Sequence, residues 1–217
     1  LNLSRMEGAM HIMQTFIALL KSRDADDFVE FIFAFFAAPV VRGVKCGSLV
    51  NIRRNGEEIP RVWRRRKNEL LARYGLEAAE LPPFSSKGGG AFRTNAVLLL
   101  VYDRRLLEKA LFSEEALAIL RPLGYEEAGG SVLSFIERLK RRFAEGFPHE
   151  IGLFLGYPPH DVRGFMADGG RGAVASGYWK VYANVAEAME TFGAFRRAEQ
   201  DAAMELVLRF GAMQVGA

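Results

Sequence analysis

An α/β fold, or a mixed α+β one, with about four strands flanked by helices in a single domain, is what this sequence predicts. Three observations carry that expectation. Ala96–Tyr102 (AVLLLVY) is an unbroken apolar run between turn signals, the mark of a strand buried on both faces. Phe28, Phe31, Ile32, Phe35 and Phe36 follow helical spacing, as do Val132, Phe135, Ile136, Leu139 and Phe143. Further strand candidates at Ser48–Ile52, Ile151–Leu155 and Gly177–Tyr182 are separated by helical stretches. With 217 residues, half of them hydrophobic, the chain fits one domain over residues 1–217. Its helical N-terminal part, residues 1–38, is expected to pack on the sheet-containing remainder.

Each element has a local cause. Ser4 opens a first helix near residues 5–21, and Asp24 caps a second over 25–37 that ends before Pro39. Gly43 and Gly47 lead into the Ser48–Ile52 strand, and Asn55-Gly56 marks a turn. Pro60 suits the first turn of a helix that reaches Tyr74 and stops at Gly75. Leu81–Asn95, with Pro82-Pro83 and Gly88–Gly90, reads as a loop. Asp103 and Ser113 precede short helices, and Ser131 opens a longer one whose Lys140, Arg141 and Arg142 complement its C-terminal dipole. His160–Met166 reads as a short helix. Asn184 with Glu187 starts the last helix, which runs through Phe192, Phe195, Leu206 and Phe210 to Gly211.

Composition excludes several function classes. Lys plus Arg number 29 against 26 Asp plus Glu, so a net charge of +3 supplies no strong field for nucleic acid, which is an unlikely partner. The single Cys46 excludes an intrachain disulfide and any multi-cysteine metal site, so no metal is assigned and a cytoplasmic setting is expected. Glu7 and His11 interrupt the apolar residues of the first 21 positions, which gives an amphipathic helix rather than a targeting signal. Phe28–Val41 contains Glu30 and is too short to cross a bilayer, so no membrane role is expected.

Chemistry-bearing residues concentrate between Phe147 and Asn184. Two of the three histidines, His149 and His160, stand there beside Glu150 and Asp161, among Tyr157, Tyr178, Trp179 and Tyr182. Leu153 occupies the place where H-E-x-x-H needs its second histidine, so the zinc-protease motif is absent. As an enzyme, the chain would use His149 or His160 as general base and Glu150 or Asp161 as the orienting carboxylate. The bland alternative is that both histidines are satisfied polar groups. Strand alternation puts Tyr178, Lys180 and Tyr182 on one face and Trp179 and Val181 on the core face. Tyr157, Tyr178 and Lys180 then become contacts for an anionic or planar ligand, with His149, Tyr157 and Tyr178 around one concavity. The leading reading is a ligand- or partner-binding module without catalysis. Its small-molecule or protein partner and any cofactor are unknown.

Other motifs carry less. The glycines of SSKGGG (85–90) lead into a strand, and Lys87 precedes them, contrary to P-loop order. Arg61, Arg64, Arg65, Arg66 and Lys67 beside Trp63 offer phosphate contacts, or a solvated helix face with Trp63, Leu70 and Tyr74 turned inward. Lys45 beside Cys46 offers an activated thiol, or a small buried one. No G-x-S-x-G elbow is present.

HEIGLFLGYP (149–158), DVRGF (161–165) and GYWKVY (177–182), followed by a helix, resemble the bacterial domain-of-unknown-function 3793 family, with a weaker echo in APVVRGVKCGSLVNI (38–52). The resemblance implies a cytoplasmic protein of anaerobic bacteria and brings no assigned activity or catalytic residues. Where such proteins often carry cysteine before the GYWKVY-like segment, this chain has Ala175 and Ser176. A thiol or metal role at that position cannot operate here.

Overall fold

The structure, a computed structural model, describes residues 3–55, 58–82, 95–125 and 130–211. Its organising element is the apolar strand β3 (Ala96–Tyr102), which pairs antiparallel with β1 (Gly47–Arg53) on one side and β2 (Glu77–Leu81) on the other. Leu100 sits opposite Leu49 and Ala79 in this register. Leu98, Leu100 and Tyr102 face one core, while Val97, Leu99 and Val101 face a second. An apolar residue is therefore required at every position of β3.

The second core lies under α2 (Ala25–Val41) and α3 (Ile59–Tyr74), which contribute Val29, Phe33, Val62, Trp63 and Leu70. The first is filled by α4 (Arg104–Leu111), α5 (Glu114–Leu120), α6 (Val132–Glu145) and α7 (Ile151–Phe154), through Leu107, Leu120, Phe135, Phe143 and Phe154. α8 (Pro159–Asp168) packs on α5 and α7. α1 (Leu3–Ser22) and the long α9 (Val185–Gly211) pack together and against α2 through Phe16, Phe31, Leu206 and Phe210. A two-stranded ribbon, β4 (Ala175–Ser176) with β5 (Lys180–Val181), completes a mixed α/β architecture.

Helix starts follow the caps read from sequence. Asp24 accepts from Asp27 N at 2.9 Å, Asp103 from Leu106 N at 2.9 Å and Ser113 from Ala116 N at 3.3 Å. Ser131 and Ser134 form a reciprocal capping box, and Gly75 closes α3 in the left-handed region at φ 64°.

Several boundaries differ from the sequence reading. α1 already contains Ser4, which is therefore not its cap. α2 continues past Pro39 to Val41, because a proline in a final turn forfeits one hydrogen bond, and its carbonyl instead accepts from Val44 N and Lys45 N. Ile151–Leu155 is not a strand: Leu155 N bonds to Ile151 O at 3.0 Å and closes one helical turn. Only Lys180 and Val181 of Gly177–Tyr182 are paired as a strand, and Gly177 N bonds to Trp179 O at 3.0 Å inside the ribbon's turn. Asn184 precedes α9 at φ 52° rather than in the extended conformation usual for a cap. Residues 83–94, which include SSKGGG, lie outside the described residues. Among the described residues no helix is long and apolar enough to cross a membrane.

Candidate ligand pocket

A cavity of about 540 Å³ opens where the end of α2, the start of β1, α7, α8, the β4–β5 ribbon and α9 meet. Its walls are mostly apolar: Phe36, Leu49, Leu155, Tyr157, Phe165 and Trp179. Its polar groups are Lys45, His149, Asp161, Tyr178, Lys180 and Glu199. Size and lining suit a small organic ligand.

Local structure fixes each of these groups. Lys45 is the last residue but one before β1. Its backbone N–H donates to Pro39 O at 3.1 Å, and Cys46 O accepts from Asp103 N at 3.1 Å, so the connection is tied to α2 and to the end of β3. The ammonium rests 5.7 Å from the Tyr157 ring centroid and 5.2 Å from that of Phe195. Among the described residues no carboxylate stands within ion-pair distance of it. Burial pushes the Lys45 ammonium down to about 8, with Glu199 working in the opposite direction.

The ribbon hangs on Asp161, a buried carboxylate of α8. It accepts from Trp179 Nε1 and from Tyr182 N, each at 2.7 Å. Trp179 then stacks on Tyr157 at 4.8 Å and meets Phe192 edge-on at 4.4 Å. Gly177 permits this closeness, because a Cβ there would run into the Phe192 ring. Gly164 similarly lets the Tyr182 ring lie on α8, since an added Cβ would be 2.6 Å from Tyr182 Cγ. Tyr178 O–H donates to Glu199 Oε2 at 2.6 Å, and burial foremost raises the Glu199 carboxyl.

Of the residues singled out from sequence, His149, Tyr157, Tyr178 and Lys180 do line this one cavity. His149 is exposed at its mouth, edge-on to Phe165 at 5.1 Å, and Lys180 is exposed at its rim. Of the proposed acid–base partners, His160 and Asp161 are brought together, whereas His149 and Glu150 are not. Glu150 is buried, paired with Arg142 and accepting from Tyr125 O–H at 3.2 Å, and it does not line the cavity. His160 lines a separate groove with Pro158, Asn184 and Thr191, where its Nε2 lies 3.4 Å from Asp161 Oδ1. Among the described residues Asp161 is thus the carboxylate that stands beside a histidine, and that histidine, His160, lies outside the pocket. Among the described residues no group of three or more His, Cys, Asp or Glu side chains is placed to hold a metal ion.

Sequence reasoning missed Lys45 as a pocket residue and passed over Glu199. The thiol beside Lys45 is inert by environment: Cys46 is buried, its Sγ lies 3.5 Å from Phe154 O, and desolvation pushes it up to about 12. The basic helix is also engaged. Arg65 pairs with Asp26, Arg66 with Glu30 and Glu69, and Lys67 with Glu80 at 3.6 Å, while Trp63 is buried.

A protein-family profile described as "Protein of unknown function (DUF3793)" matches residues 33–212, well over half of the chain. The chain belongs to the DUF3793 family. The matched span includes every residue lining the cavity, from Phe36 to Glu199, and leaves out all of α1 and the first turns of α2. Neither a curated protein nor a solved structure matches this DUF3793 chain.

Proposed function

We propose that this protein is a non-catalytic ligand-binding module whose pocket takes a small organic anion with a flat apolar body. The observation that carries the reading is Lys45, a cation set among aromatic rings with no carboxylate in pairing distance among the described residues. A half-buried charge without a close counter-ion is partly desolvated at a cost, and an anionic ligand removes that cost. Tyr157, Phe165 and Leu49 supply the surface for the ligand's body, while Tyr178 and the rim residue Lys180 border its head. Glu150 serves Arg142 rather than His149, and His160, though beside Asp161, lines another groove; both count against the acid–base enzyme reading. The ion pairs of Arg65, Arg66 and Lys67 count against phosphate binding by Arg61–Lys67, since these three side chains already hold carboxylates of α2, α3 and β2.

Calorimetry with 2-naphthoate and its uncharged analogue 2-naphthamide tests the proposal. Naphthoate should bind at least tenfold more tightly, and Lys45→Met should abolish the difference. Equal affinities for acid and amide, or naphthoate binding that survives Lys45→Met unchanged, would remove the basis for the reading.

A further inference from the structure

We propose that Lys45 captures carbonyl compounds: its Nζ condenses with an aldehyde or 2-oxo acid held in the pocket to form an imine. This rests on the ligand-pocket reading above and names the chemistry of the ligand's head. Three features converge on it. Lys45 lines a mostly apolar cavity large enough for a small organic molecule, and its Nζ lies 5.7 Å from the Tyr157 ring centroid and 5.2 Å from that of Phe195. No ion pair among the described residues holds it in the ammonium form. A second titratable group, Glu199, lines the same cavity and is anchored by the Tyr178 hydroxyl.

Amine nucleophiles of this kind depend on desolvation, which raises the share of free amine at neutral pH. With the Lys45 ammonium pushed to about 8, that share exceeds an exposed lysine's by roughly two- to three-hundredfold. Burial also lets Glu199 keep its proton to higher pH than an exposed glutamate.

The step balances without an oxidant or reductant. The Lys45 lone pair forms the C–N bond while the carbonyl π pair moves to oxygen, and one proton passes from nitrogen to that oxygen. Glu199 then gives its carboxyl proton to the carbinolamine hydroxyl, the C–O bond breaks, and water leaves. A protonated imine and the Glu199 carboxylate remain. The imine keeps the positive charge at Lys45, so a 2-oxo acid's own carboxylate retains its partner.

The test uses the full chain, phenylpyruvate and sodium cyanoborohydride at neutral pH, followed by peptide mass mapping. One reduced adduct should form at Lys45, at least tenfold above any other lysine, saturable and blocked by excess 2-naphthoate. Lys45→Arg keeps the charge but cannot form the adduct. It should lose the label at position 45 while melting at a temperature close to that of the parent, and Glu199→Gln should slow labelling about tenfold. Labels spread over surface lysines without preference would overturn the inference, as would an unlabelled Lys45. If Lys45 stays unlabelled while naphthoate binds, the imine chemistry fails and the pocket reading stands; if naphthoate fails to bind as well, both fall.

Discussion

Two side chains next to each other, Trp179 and Lys180, show how closely sequence alternation can forecast burial. Trp179 is 8% exposed and donates to Asp161, whereas Lys180 is exposed at the rim. Trp179→Ala should cost about 3–5 kcal/mol and Lys180→Ala stay within about 0.5 kcal/mol, read as denaturant midpoints. Similar midpoints would contradict the hydrogen-bonded, stacked indole. Lys45 gives a prediction with a pH signature. Its folded-state value lies near 8, below the ordinary 10.5, so the unfolded chain binds the extra proton between those limits. The cost of burying the charge is therefore fully present below pH 8 and fades as pH rises toward 10.5. Lys45→Met should stabilise the protein at pH 7 by on the order of 2 kcal/mol, and the gain should vanish above pH 10.5. A gain independent of pH would show that Lys45 is not desolvated.

Elements were legible in proportion to how much of their stability is local. Caps at Asp24, Asp103, Ser113 and Ser131 act within a single turn, and the helices they open stand where the sequence put them. β3 was readable because burial on both faces demands an apolar residue everywhere. β2 was not, since EAAEL has weak strand propensity and is a strand only because β3 offers it a ladder. Ile151–Leu155 was misread because five apolar residues suit either a strand or a buried helical turn, and period alone cannot separate them. One tertiary lock joins three helices. Glu30 of α2 is buried and takes Arg66 and Arg73 of α3 together with Arg209 of α9. Glu30→Ala should cost about 2 kcal/mol, because it removes the carboxylate that three arginines share and leaves only Arg66 and Arg73 with another, Glu69, while Arg73→Ala should cost under about 1 kcal/mol with two partners left to Glu30. Thermal melts of the two variants give the comparison, and equal shifts would contradict the shared lock.

At the scale of the whole molecule, the candidate site was only half visible in the sequence. His149, Tyr157, Tyr178 and Lys180 lie within one short segment whose aromatic and titratable content drew attention to it. Lys45 stands about a hundred residues earlier, and its neighbour Cys46 made it look like a modifier of a thiol. Glu199 sits on the inner face of a long helix, where no local pattern separates it from other acidic residues. Only folding brings the α2–β1 connection, the ribbon and α9 to one cavity, and it also disperses the acid–base set, because Glu150 serves Arg142 and His160 faces another groove. The central claim is that Lys45 heads a pocket for a flat organic anion. A crystal structure grown with saturating 2-naphthoate tests it most directly. The predicted result is naphthalene against Tyr157 and Phe165 with its carboxylate about 3 Å from Lys45 Nζ. An empty pocket, or a naphthoate whose carboxylate points to solvent away from Lys45, would contradict it.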